Sequence, residues 1–104
     1  MSHAILDMKG NTMSEELNRA KIDEHRAEID EIDRKIVSLL NERAMHSLQI
    51  RDLKPGARMG LYDPRREEEI LQKISKLNEG PLYSEHLREI YNTILKVMKE
   101  APSL

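Results

Sequence analysis

The sequence has no cysteine, no tryptophan and no phenylalanine, and only three tyrosines. Without cysteine there is neither a disulfide framework nor thiolate chemistry. Without large aromatics the core must be built from Leu, Ile, Val, Met and Ala, an aliphatic set suited to helix-on-helix packing. The β-branched residues never alternate over a strand-length run, which argues against a sheet. A basic surplus is missing too: the net charge is −2, unlike that of a nucleic-acid binder. No apolar run approaches the roughly 20 residues of a membrane span, and no apolar secretory signal stands near the start, so a cytoplasmic location is expected. His3, His25, His46 and His86 are scattered without ligand spacing, which argues against a metal site.

What is present is a chain of 104 residues, 38% apolar and 35% charged, a balance that suits one globular or coiled helical domain. Residues 1–13 show little apolar periodicity and read as a flexible tail, with Met13 a candidate natural start; the domain proper is expected over 14–104. Thr12 and Glu15 have capping-box spacing, and Ser14 is a rival N-cap. From Ser14 to Lys54 there is no proline or glycine, and Leu17, Ile22, Ile29, Ile32, Ile36, Leu39 and Leu40 begin a series that keeps helical spacing to Leu53. Pro55-Gly56 stops it. The result is a helix of about 40 residues, roughly 60 Å long. A compact chain of this size has a radius of gyration of about 13 Å, so the apolar stripe on such a rod is expected to meet a second copy of itself. Asp63-Pro64 predicts a second helix running to about Leu77. Asn78-Glu79-Gly80-Pro81 predicts a break, and Ser84 is the expected cap of a third helix that Pro102 ends.

Two groups of charges do not fit bland helices. Arg43 lies seven residues after Ile36 and fourteen after Ile29, within about 20° of an apolar line. A cation there either snorkels to solvent, pairs with a carboxylate across a dimer or meets an anionic ligand. Lys54 follows eleven residues later on nearly the same face, and two cations along one inward line favour the ligand. Arg26, near the other end of the helix, would approach that region from the second copy of an antiparallel dimer. The second group is Tyr62-Asp63-Pro64-Arg65-Arg66-Glu67. Capping accounts for Asp63, Pro64 and Glu67 but not for Arg66, a cation at the positive end of a helix dipole.

The stretch Arg26-x-x-Ile29-x-x-Ile32-Asp33-x-x-Ile36-x-x-Leu39-Leu40-x-x-Arg43, then Lys54, then Asp63-Pro64-x-Arg66-Glu67, resembles the helical chorismate mutases over about residues 22–98. The resemblance implies an all-α fold of three helices per chain, one long and two shorter, in an intertwined antiparallel homodimer whose two active sites are shared between subunits. It implies cofactor-independent rearrangement of chorismate, a dianion, to prephenate on the route to Phe and Tyr. By position, Arg43 and the partner's Arg26 would clamp carboxylates. Lys54 would donate to the ether oxygen where negative charge develops. Glu67 would accept from the ring hydroxyl, with the Asp63 backbone nearby and Arg66 orienting its neighbours.

The third helix departs from the family. Met98 falls where a small polar residue is usual, and Pro102 where a Gln or Glu supplies a second donor to the ether oxygen. Both are expected near a fraying chain end, and slow turnover is expected. Isochorismate pyruvate-lyase and aminodeoxychorismate mutase share the scaffold and are alternative activities. A non-catalytic module regulating a partner enzyme, and a simple coiled coil, are the remaining alternatives.

Overall fold

The computed structural model describes residues 12–60 and 62–102. They form three α-helices, α1 (Met13–Leu53), α2 (Pro64–Leu77) and α3 (Ser84–Glu100), with a 3₁₀ turn at Pro55–Ala57. This is the expected all-α, three-helix chain, and no strand occurs among the described residues. No described helix is long and apolar enough to cross a membrane. Of the expected tail, residues 1–11 lie outside the described residues. Thr12 is the N-cap of α1, its Oγ1 accepting from the Glu15 backbone N–H at 3.0 Å, so Ser14 falls inside the first turn and Met13 is already helical.

The ends of the helices are set locally. Pro55 halts α1, and the Lys54 carbonyl then accepts from Ala57 N–H at 3.1 Å and Met59 N–H at 2.9 Å. The left-handed residue of this reversal is Arg58, at φ 56° and ψ 37°, and not Gly56. α2 opens as the sequence predicts. Asp63 accepts from the Arg66 backbone N–H at 3.0 Å, with Pro64 at the first helical position. Ser84 does not cap α3 as expected. It is the first helical residue, and the N-cap is Tyr83, whose carbonyl accepts from His86 and Leu87 N–H, both at 3.1 Å. The Ser84 hydroxyl is taken by Asn78, whose Nδ2 donates to it at 3.1 Å and to the Leu82 carbonyl at 2.8 Å. The Asn78 Oδ1 also accepts from Gly80 N–H at 3.0 Å, and Gly80 adopts φ +80°, the region where glycine is favoured. One side chain thus organises the whole α2–α3 connection.

The chain divides into two units, Met1–Leu40 and Asn41–Leu104. The described part of the first is α1 alone, and its large apolar side chains from Leu17 to Leu39 are all exposed, Ile29 at 54% and Ile36 at 47%. The second holds the end of α1 with α2 and α3. Its core is Leu48, Leu71, Leu95 and Met98, with each helix contributing. Arg88 pairs with Glu68 across α2 and α3 at 3.5 Å.

Candidate functional site

In the second unit, the end of α1, the start of α2 and the end of α3 wall a cavity of about 500 Å³. Arg43, Ser47 and Ile50 of α1 line it, with Lys54 one residue past the end of that helix. At 100° per residue these four fall within about 60° of one another, so the helix period alone aligns them. On α2 the Asp63 cap fixes the first turn, which brings Arg66, Glu67 and Ile70 to the wall. From α3 come Leu95, Met98 and Lys99.

The lining carries five cations, Arg43, Arg51, Lys54, Arg66 and Lys99, against two carboxylates, Asp63 and Glu67. One carboxylate is already committed, since Asp63 caps α2. Arg43 is half-buried, donates to Ser47 Oγ at 3.5 Å and has no carboxylate partner among the described residues. A half-buried guanidinium so placed is suited to an anionic ligand. Among the described residues, the Arg66 side chain has only a long, solvent-exposed pairing with Glu69 at 3.7 Å. Lys99 Nζ lies 2.9 Å from Glu67 Oε1 and 5.1 Å from the centroid of the Tyr62 ring. The hydrogen bond to Glu67 is the main reason its ammonium is held above the ordinary lysine value of 10.5. No group of three or more His, Asp or Glu placed to hold a metal occurs among the described residues.

Of the residues singled out from the sequence, Arg43, Lys54, Asp63, Arg66 and Glu67 all line this cavity. Arg26 does not; it belongs to the first unit and is exposed. His46, Arg51 and Lys99 also line the cavity and were not anticipated; Tyr62, which opens the second group of the sequence, lines it too, without having been assigned a role there. His46 and Arg51 could have been found by following the helical period onward from Arg43. Lys99 could not, because only the packing of α3 on α2 brings it to Glu67. The end of α3 needs a correction. Met98 is buried in the core, inside α3. Pro102 is exposed, outside the cavity lining and beyond the end of α3, because Ala101 takes the extended conformation favoured before proline.

Residues 25–101 match the family model described as chorismate mutase type II. The chain is 43% identical over 72 residues to a bifunctional chorismate mutase/prephenate dehydratase of Neisseria gonorrhoeae, an alignment covering 68% of this chain and 19% of that one. The chain thus spans about a fifth of that relative's length. A chorismate mutase from Thermus thermophilus superposes with a TM-score of 0.75 at 32% identity, covering 81% of this chain and 99% of the other. A chorismate mutase from Helicobacter pylori, solved in complex with prephenate, superposes with a TM-score of 0.70 at 31% identity, covering 78% and 88%.

Proposed function

Since the chain belongs to the chorismate mutase type II family, we propose that it converts chorismate to prephenate in the cavity of its second unit. The observation that carries this reading is the convergence of half-buried Arg43 and Lys54 from α1 with Glu67 from α2 on one cavity. The reaction is unimolecular: the ether C–O bond breaks as a C–C bond forms, and no group is transferred to the protein. The protein's task is to hold a dianion in its folded, reactive conformer and to stabilise charge on the departing ether oxygen.

Arg43 is suited to clamp a carboxylate, its planar fork half-buried and without a carboxylate partner among the described residues. Lys54, just past the end of α1, would donate to the ether oxygen. Glu67 would accept from the ring hydroxyl, and Asp63 acts by capping α2, which fixes both Arg66 and Glu67. Arg26 enters as a residue of a second copy. The exposed aliphatic positions of α1 support an antiparallel homodimer, in which Arg26 of the partner subunit completes the clamp.

The test is incubation of the pure protein with chorismate, with the products resolved by chromatography. Loss of chorismate with equimolar prephenate and no added cofactor is expected. Isochorismate and aminodeoxychorismate, offered in parallel, should turn over far more slowly. A protein that leaves chorismate untouched at micromolar concentration would refute the reading.

A further inference from the structure

Lys99 was not part of the expected site, yet it is the one cation that α3 brings to the cavity. Its side chain is half exposed, but it is held on two sides. Glu67 Oε1 receives its Nζ at 2.9 Å, and the Glu67 side chain is only 26% exposed. The Tyr62 ring lies 5.1 Å away on another side. The Lys99 carbonyl is in turn held by Arg51 Nη2 at 3.1 Å, which pins its backbone to α1. An ordinary exposed Lys–Glu pair has neither the aromatic wall nor the pinned backbone, and contributes little. An ammonium has three N–H donors. Glu67 accounts for one of them, which leaves donor capacity toward the cavity. The Glu67 carboxylate likewise retains Oε2 for a ligand hydroxyl.

We propose that Lys99 is a ligand-contacting residue. Anchored by Glu67 and Tyr62, it presents a charge-assisted donor to the bound anion from the α3 wall. Position 102, where a donor was expected, lies outside the cavity and past the end of α3, and Lys99 offers a positive donor from three residues earlier, in the last turn of that helix. The ligand it serves is the dianion of the mutase reaction, so the inference rests on that reading. A second donor at the reacting end of the ligand lowers the barrier, and a donor at a carboxylate raises affinity. Either effect reaches kcat/KM, and the division between kcat and KM tells which end of the ligand Lys99 meets.

The experiment is steady-state kinetics on chorismate, with prephenate inhibition as a second measure of affinity, for the wild type, Lys99→Met, Lys99→Arg, Glu67→Gln and the double variant Lys99→Met/Glu67→Gln. Circular dichroism checks that each keeps its helices. Lys99→Met should lower kcat/KM by a factor on the order of ten to a hundred, as loss of a charge-assisted donor does. Lys99→Arg should recover part of that. The double variant separates direct contact from an effect through Glu67. If Lys99 touches the ligand, its removal still lowers kcat/KM when Glu67 is already Gln. If it acts only through Glu67, that further loss vanishes and the inference is overturned. An active wild type with Lys99→Met inside twofold of it also overturns the inference and leaves the mutase reading standing. A silent wild type removes both.

Discussion

Arg51 Nη2, on α1, lies 3.0 Å from the carbonyl oxygen of Met98, so the last turn of α3 is closed by a side chain from another helix. The same guanidinium reaches the carbonyls of Lys99 at 3.1 Å and Ala101 at 3.0 Å. The final carbonyls of a helix have no partner within it and carry the negative end of its dipole, and a guanidinium satisfies both needs at once. Arg51→Ala should therefore cost about 2 kcal/mol, in the range of lost charge-assisted hydrogen bonds. It should also fray α3 from Met98 onward. Urea unfolding measures the first, and amide exchange at residues 98–101 the second. Arg51→Lys should recover only part, because an ammonium lacks the fork that spans three carbonyls. Unchanged stability in Arg51→Ala would show that the clamp is not kept in solution.

The burial of Met98 reverses the sequence-based expectation for substitutions at this end. Met98 is 8% exposed and shares the core with Leu48, Leu71 and Leu95. Met98→Ser should cost about 2–4 kcal/mol, since it removes most of a buried side chain and buries a hydroxyl. Pro102→Gln should change turnover by less than about twofold, because an exposed residue past the helix end has no partner whose loss would be felt. Thermal unfolding and steady-state rates of the two variants decide the matter. A several-fold faster Pro102→Gln enzyme would mean that α3 extends when the ligand binds.

These two residues mark where the sequence stops being informative. The bounds of α1 and α2 were legible because they are written locally, in Thr12, in Asp63-Pro64 and in an aliphatic period unbroken from Leu17 to Leu53. The cavity cations of α1 were legible for the same reason, since Arg43 and Lys54 share a face by period alone. The cap of α3 was misread because Ser84 has the right chemistry, while Asn78, six residues earlier, competes for its hydroxyl. The Arg51 clamp on α3 and the Lys99–Glu67 pair were invisible because the partners stand 47 and 32 positions apart along the chain, and only packing brings them together.

The cations themselves give a graded test. Arg43→Ala and Lys54→Ala should each lower kcat/KM by a factor on the order of 10² or more, the usual effect of losing a preorganised donor. Helicity should stay intact in both. Arg58 is the contrasting cation, an exposed loop residue outside the cavity lining. Its left-handed backbone, at φ 56°, is one that an L-residue adopts at some expense. Arg58→Gly should leave the rate unchanged and raise stability by about 1 kcal/mol. A Lys54→Ala enzyme as fast as wild type would remove Lys54 from the mechanism.

The exposed stripe of α1 bears on assembly. Ile29 and Ile36 are seven residues apart on one face and about half exposed, an arrangement whose natural cover is the same stripe on a second copy. Sedimentation at micromolar concentration should give about twice the 12.1 kDa chain mass, with a melting temperature that rises with concentration. The double variant Ile29→Asp/Ile36→Asp should sediment as a monomer and lose activity. A stable, active monomer in either protein would contradict the shared-site dimer.

The sharing of the site can be tested apart from the dimer. Arg26→Ala and Lys54→Ala are each expected to be nearly inactive as pure proteins, because each spoils both sites of its own homodimer. Mixed, unfolded together and refolded, they form hybrids. In a hybrid, one site takes Lys54 from the Arg26→Ala chain and Arg26 from the Lys54→Ala chain, and is intact. The other site carries both defects. With random pairing half the dimers are hybrids, so isologous symmetry puts the recovered activity at about a quarter of the wild-type value. If Arg26 and Lys54 served the same site from one chain, no pairing could restore it, and the mixture would stay as inactive as its parts. Recovery near a quarter would place Arg26 across the subunit boundary. A flat result, with the hybrid dimers shown to form, would confine each site to a single chain.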